Sequence, residues 1–268
     1  MAENSIIAWT NNTFNPWMGC VKVSAGCKNC YAETLTKNRM GLNLWGPGTE
    51  RKVTTDAYWR QPFSWAREAR KAGERRRVFC GSLCDVFEDH PTADEKRPEL
   101  WEIIKATPEL DWQLLTKRPE NIAARLPKEW PLPNVWLGTS IEDKKACARR
   151  DILVTVPAVV HFLSLEPLLE DIAPALNLED IEWALIGGES GPGFRPMDPQ
   201  WARNLQESCK KSGTAFFFKQ SAAFRTEMGI ELDGQIARDY PKPKFQILQN
   251  GGSDEADRNR LSLFDNAH

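Results

Sequence analysis

Val135-Trp-Leu-Gly-Thr139, the stretch Asp143–Val154 and Val159-Val-His-Phe-Leu-Ser-Leu165 follow one another in the middle of this chain. The first and last are short, unbroken apolar runs rich in β-branched and aromatic residues, the pattern of strands covered on both faces. The stretch between them reads as a helix with an acidic residue near its first turn. Strand, helix, strand implies parallel pairing, because parallel strands need a crossover between them. The same alternation extends outward. Towards the C-terminus come a helix over Pro167–Leu176, a strand over Trp183–Gly187, a helix over Pro199–Ser212 and a strand over Ala215–Lys219. Towards the N-terminus come a helix over Pro119–Leu126 and strands over Trp112–Thr116 and Arg77–Ser82, with a helix over Asp94–Thr107 between those two. An early strand near Ile7–Phe14 and a helix at about Ala32–Met40 bring the count to roughly seven units. The expected class is therefore α/β, a full or partial (βα) barrel of the TIM-like kind in preference to a doubly wound sheet.

Two regions break the rhythm. Residues 41–76, with Gly41, Gly46, Pro47, Gly48 and a helical Ser64–Ala72, read as an insertion between the first and second strands. Beyond residue 220, Ile230–Ala237 has the pattern of a hairpin turning at Asp233-Gly234, so 221–249 is expected to be a hairpin extension of the barrel domain 1–220. The polar stretch 250–268 is expected to be disordered.

At 268 residues the chain is long enough for a sizeable core, and a net charge of −2 offers no global attraction to nucleic acid. No apolar run reaches the length of a membrane span, and the polar start of the chain does not read as a signal peptide. Seven cysteines, an odd number and unevenly spread, do not read as a disulfide framework. The expected location is the reducing cytoplasm, where clustered cysteines bind metal more often than they pair.

Three of those cysteines, Cys20, Cys27 and Cys30, lie in the run Trp17-Met-Gly-Cys-Val-Lys-Val-Ser-Ala-Gly-Cys-Lys-Asn-Cys-Tyr-Ala32. Thiolates suit an iron–sulfur cluster or zinc. Three on one loop can hold three corners of a four-iron cube and leave the fourth iron open. The zinc alternative takes its fourth ligand from Cys80, Cys84, Cys147 or a histidine and describes a zinc-stabilised binding module without catalysis. Buried, unligated thiols fit poorly beside Lys22, Lys28 and Asn29.

The cysteine run, together with Val78-Phe-Cys-Gly-Ser82, Asp85-Val-Phe87, Leu115-Thr-Lys-Arg-Pro119, Gly138-Thr-Ser140, Leu165-Glu-Pro-Leu168, Gly187-Gly-Glu-Ser-Gly-Pro-Gly193 and Phe217-Phe-Lys-Gln220, resembles a phage-associated three-cysteine domain family. The resemblance covers about residues 8–245. That family is usually described as similar to radical-SAM enzymes, with an unknown substrate. The resemblance implies a 4Fe–4S cluster on Cys20, Cys27 and Cys30. It also implies S-adenosylmethionine, cleavage of that cofactor to a 5′-deoxyadenosyl radical, hydrogen abstraction from a substrate, and an electron donor such as a flavodoxin or ferredoxin. One departure is plain: most radical-SAM enzymes space their cysteines C-x3-C-x2-C, and this chain has C-x6-C-x2-C. Gly187-Gly-Glu189 also follows the sixth expected strand, whereas the superfamily's Gly-Gly-Glu follows the second.

Polar residues terminate nearly every apolar run, as expected of one rim around one barrel mouth. Ser82, Ser140, Glu142, Gly187, Gly188 and Glu189 are the candidates for S-adenosylmethionine. Lys117, Glu166 and Lys219, each directly after a buried-looking run, are the candidates for acid–base work. Arg195 is a candidate partner for a carboxylate, with a surface salt bridge as its equal rival. The basic stretch Arg67–Arg77 reads as a solvated helix face with phosphate contact as its rival, while Trp45 and Trp59 are candidates to stack on a base. The phage association and the basic stretch lean the substrate towards a nucleotide or DNA base.

Overall fold

The structure is a computed structural model that describes residues 5–243. In chain order the elements are β1 (Asn12–Phe14), β2 (Trp17–Met18), α1 (Tyr31–Thr34), β3 (Lys52–Val53), α2 (Asp56–Trp59), α3 (Gln61–Ala72), β4 (Arg76–Cys80), α4 (Pro91–Ala106), β5 (Leu110–Thr116), β6 (Val135–Ser140), α5 (Ala148–Leu153), β7 (Val160–Leu165), β8 (Trp183–Gly187), α6 (Pro199–Ser212) and β9 (Ala215–Gln220). Strands β1, β4, β5, β6, β7, β8 and β9 pair in that order into one sheet of seven, parallel throughout. The sheet curls into a half-barrel, the partial version of the expected (βα) fold.

Side chains alternate between two faces along each strand. The outer face, with Val78, Cys80, Leu114, Leu137, Leu163 and Ile186, packs under α3, α4 and α6 in the larger core. The inner face carries Phe79, Trp136, Val160, Phe162, Trp183, Leu185 and Phe217, joined by Trp9. Trp183 is the hub, with Trp136, Phe217 and Tyr240 at 5.8, 5.9 and 5.5 Å between ring centroids. The Tyr240 hydroxyl donates to the Ala8 carbonyl at 3.0 Å, and the Arg77 guanidinium lies 4.1 Å from the Tyr240 ring centroid. Trp136 and Trp183, near the first residues of β6 and β8, set the centre of this cluster towards the strand starts, and the cysteine loop lies at the C-terminal ends, the mouth of the half-barrel.

Several expected elements differ. The first strand is only Asn12–Phe14, because Ile7, Ala8 and Trp9 pack against the inner face instead of pairing. The helix expected at Ala32–Met40 is one α turn that widens to a π turn over Leu35–Arg39. Pro119–Leu126 forms two 3-10 turns, and Asp143–Val154 begins as a 3-10 turn before α5. Pro167–Leu176 is not a helix: the amides of Leu168 and Leu169 tie it to the carbonyls of Gly187 and Glu142, and those of Ala175 and Leu176 close a single turn on the Ile172 carbonyl. Residues 41–76 are not a mere insertion, since α3 buries Phe63, Trp65, Ala66 and Ala69 and serves as the crossover from β1 to β4. Its amphipathic face was legible, but its role as a crossover depends on the sheet it covers.

The hairpin reduces to one bridge, Leu232–Gln235, around Asp233 and Gly234 at positive φ. The chain after it covers the free edge of β9, through Phe218 N to Ala237 O at 2.7 Å and Asp239 N to Phe216 O at 2.9 Å. The expected disordered tail 250–268, with 244–249 of the hairpin extension, lies outside the described residues. Among the described residues no helix is long and apolar enough to cross a membrane.

Candidate functional site

The cysteine loop leaves the mouth after β2 and returns into α1. Gly19 starts it at φ 112°, where a Cβ would meet the Leu44 carbonyl at 2.5 Å and Arg51 Cδ at 2.9 Å. Only glycine fits both that backbone and that space. Gly46 N donates to the Cys20 carbonyl at 3.0 Å. Cys27 ends a 3-10 turn over Ala25–Cys27, and Cys30 is the residue that begins α1. All three thiols are half-buried. Burial, with Asp85 next, pushes the Cys20 thiol up to about 12, and burial raises Cys30, where nearby Cys27 adds to the effect. Without a metal such thiols keep their protons; ligation removes them.

The loop is tied across the mouth to residues from distant strands. The Gly26 amide donates to Glu142 Oε1 at 3.2 Å, beyond the end of β6. Asn29 Nδ2 donates to Glu189 Oε2 at 2.9 Å, beyond the end of β8. Arg195 Nη1 donates to the Ala25 carbonyl at 3.0 Å while its Nη2 pairs with Glu189 Oε1 at 2.5 Å. The Tyr31 hydroxyl donates to the Ser82 carbonyl at 2.7 Å, beyond the end of β4. Arg118 Nη2 donates to the Val21 carbonyl at 2.7 Å, and its Nη1 lies 3.6 Å from Cys20 Sγ.

Thus Ser82, Glu142 and Glu189 are brought against the cysteine loop. Glu142 is fully buried, with Arg149 Nη1 at 2.8 Å and Lys117 Nζ at 3.7 Å. Burial opposes its charge, but Lys117, Ser24, Arg149 and the Gly26 amide outweigh that and hold its pKa below the ordinary carboxylate value. Ser140 is buried beside it, its carbonyl accepting from Arg149 at 2.8 Å. Lys219 Nζ meets Glu166 Oε1 at 3.0 Å, and Ser164 Oγ donates to Glu166 Oε2 at 3.3 Å. Gly187 faces that carboxylate closely enough that a Cβ would lie 3.2 Å from Glu166 Cδ and closer still to Oε1. Gly188 backs onto the Ala222 main chain. The acid–base candidates thus divide into Lys117 with Glu142 and Lys219 with Glu166.

A buried network of alternating charge was not anticipated as a unit. Arg51 Nε and Nη2 grip Glu88 Oε2 and Oε1 at 2.8 and 2.9 Å. Arg118 Nη1 meets Asp85 Oδ2 at 2.8 Å, and Thr116 Oγ1 donates to the same carboxylate at 2.8 Å. The Val21 amide donates to Glu88 Oε1 at 2.9 Å. Asp85 and Arg118 stand at strand ends and carried a sequence signal; Arg51 is 37 residues from Glu88 and carried none.

Other expectations fare differently. Trp59 is 4% exposed with its ring edge-on to Phe14 at 5.7 Å, so it is core and no stacking platform. Trp45 is half-buried and donates from Nε1 to Thr36 Oγ1 at 2.6 Å. Within the basic stretch, Arg70 pairs with Glu109, Arg75 with Asp111 and Arg76 with Glu68, while Arg67 and Lys71 are exposed on α3. Of the expected fourth zinc ligands, Cys80 is fully buried under the helices and Cys147 turns its Sγ to the Asp143 carbonyl, while Cys84 is buried next to the loop, bridged to Gly19 and near Cys20.

Among the described residues no three His, Cys, Asp or Glu side chains are grouped about a point where one metal ion would sit. A single Zn²⁺ with bonds of about 2.3 Å would draw its sulfurs to roughly 3.8 Å from one another. A four-iron cube holds its thiolates at separate corners and farther apart. By donor chemistry, three thiols on one loop suit an iron–sulfur cluster or zinc.

The family described as "Protein of unknown function (DUF5131)" matches residues 4–250. No curated protein gives a significant match to the sequence. A cysteine-to-alanine mutant of spore photoproduct lyase with dinucleoside spore photoproduct has a similar structure, with a TM-score of 0.50 at 14% identity, over 79% of this chain and 64% of that one. A tyrosine-to-phenylalanine mutant of spore photoproduct lyase gives 0.47 at 13% identity over the same shares. The chain therefore spans somewhat less than two thirds of that protein's length, and the likeness is one of fold.

Proposed function

The chain belongs to the DUF5131 family, and from that premise we propose that it is a radical-SAM-type iron–sulfur enzyme acting on a nucleotide or a nucleic-acid base. The observation that carries the reading is the three-thiol loop hydrogen-bonded to Glu142 and Glu189 across the open end of a half-barrel. Cys20, Cys27 and Cys30 would hold a 4Fe–4S cluster. When bound, the cluster with S-adenosylmethionine supplies one-electron cleavage and a hydrogen-abstracting 5′-deoxyadenosyl radical, chemistry that belongs to the cofactor.

The chain's own contribution is binding, orientation and proton placement. Ser82, Ser140, Glu142, Gly187, Gly188 and Glu189, at or just beyond the ends of β4, β6 and β8, are the residues that would meet S-adenosylmethionine. Glu142 and Glu189 have a second task, since the first accepts from the loop amide of Gly26 and the second from the Asn29 side chain. Lys219 Nζ, held at 3.0 Å from Glu166 Oε1, can bind an anionic substrate group or give a proton to it. Lys117 Nζ has the corresponding relation to Glu142 Oε2 at 3.7 Å. The nucleotide class is supported by the dinucleoside held by spore photoproduct lyase, whose fold is similar. An electron donor of the flavodoxin or ferredoxin kind completes the cycle.

The test is anaerobic reconstitution with iron and sulfide. The wild-type protein is expected to turn brown, to bind about four irons per chain, and to form 5′-deoxyadenosine from S-adenosylmethionine with dithionite. Replacing Cys20, Cys27 and Cys30 together by alanine is expected to abolish colour and iron. One stoichiometric zinc without iron absorbance would refute the assignment, as would iron content that survives the triple replacement.

A further inference from the structure

Arg118 is the cation that faces the cysteine loop from inside the protein. Its side chain is 9% exposed and lies between two acids, Asp85 Oδ2 at 2.8 Å and Glu88 Oε1 at 3.6 Å. The second acid is itself gripped by Arg51, whose side chain is wholly buried. Two arginines and two carboxylates thus balance, and the guanidinium has donors left over. One goes to the Val21 carbonyl at 2.7 Å and one points to Cys20 Sγ at 3.6 Å. Burial works against the charge on Arg118, but Asp85, Cys20 and Glu88 outweigh it and keep the group protonated. The other two thiols meet neutral donors: Cys27 Sγ lies 3.7 Å from Ser24 Oγ, and Cys30 is met by the backbone amides of Glu33 and Ala32, with Lys117 as a nearby charge.

We infer that Arg118 is a positioning residue that sets the reduction potential of the cluster through Cys20, with Asp85 as the counterweight that limits its effect. The inference rests on the cluster reading above. Ligation puts negative charge on the Cys20 sulfur, and reduction by one electron adds more to the cluster. A cation and hydrogen-bond donor against that sulfur stabilises the reduced form more than the oxidised one, so it raises the potential. Asp85 works the other way by compensating the guanidinium. The two residues touch each other and yet have opposite effects on the same equilibrium.

That opposition separates tuning from mere support of the loop. The experiment is a reductive titration of reconstituted protein with dithionite, followed by electron paramagnetic resonance, on wild type, Arg118→Gln and Asp85→Asn, with iron content measured in each. Arg118→Gln is expected to be harder to reduce by tenfold or more, which is about 59 mV more negative for a one-electron couple. Asp85→Asn is expected to move the potential to less negative values. A potential that stays with the wild type in either iron-loaded variant, or moves the same way in both, overturns the inference. If Arg118→Gln does not fold, the direction of the Asp85→Asn shift decides alone. A wild-type chain that binds no iron is a different result: it overturns the cluster reading itself and this inference with it.

Discussion

Replacing Gly188 by alanine tests whether the loops after β8 and β9 are locked to each other by backbone contact. A Cβ at Gly188 would stand 2.6 Å from Ala222 Cα and 2.7 Å from Ser221 C, separations that no rotamer change can relieve because the obstacle is main chain. The segment 221–223 would have to retreat. The bonds at risk are Ala223 N to Glu189 O and Gly191 N to Ala223 O, both 3.0 Å. Each such bond contributes about 1 kcal/mol, and overpacking adds roughly 1–3 kcal/mol. The expected loss is therefore about 3–5 kcal/mol, which for a chain of this size lowers the melting temperature by on the order of 10 °C. Gly187→Ala is the control. There the obstacle is the end of the Glu166 side chain, which can rotate away and give up part of its pair with Lys219, at a cost of roughly 1 kcal/mol. Thermal melts by circular dichroism on both variants decide the point. If Gly188→Ala melts within about 1 °C of the wild type, or Gly187→Ala is the worse of the two, the loops are not locked as described.

Glu88→Gln should destabilise strongly, because it leaves the guanidinium of Arg51 buried without its counter-ion. Removing one partner of such a pair costs about 3–5 kcal/mol, and a urea-unfolding loss below about 1 kcal/mol would contradict the clamp. Burial opposes the charge on Glu189, yet Arg195 and Asn29 outweigh it and hold its pKa below 4.5. A carboxylate with a depressed folded pKa contributes stability that is present above the unfolded value and lost as pH falls through the folded one. Wild type should accordingly exceed Glu189→Gln in urea melts at pH near 7, and the gap should close in acid below the ordinary carboxylate range. A gap that widens on acidification would reverse the sign argued for.

The alternation of apolar runs identified six of the seven sheet strands and overlapped β1 only in its last three residues, and α6 has the bounds read from sequence because Pro199 and Gly213 mark its ends locally. The failures share a cause. Pro167–Leu176 has helical composition, yet it is tied to β8 and to the end of β6 through the amides of Leu168 and Leu169, contacts with segments that its own residues do not announce. At the site, the cysteines and the strand-end acids were legible because each follows an apolar run or sits in a compact motif. The division of labour among them was not. Nothing local in Glu142 or Glu189 says that they accept hydrogen bonds from residues 116 and 160 positions away.

By itself the sequence determined the class of fold, since parallel strands covered on both faces require unbroken apolar runs separated by crossovers, and it determined the donor chemistry, since three thiols on one short loop are a covalent fact. Only the tertiary structure decided that the barrel is half a barrel, that aromatic rings gather around Trp183 on its inner face, and that Arg118 faces Cys20. Those are contacts between segments far apart in the chain. Their geometry depends on sheet curvature and on which buried charges find one another, and neither is written in any local stretch of residues.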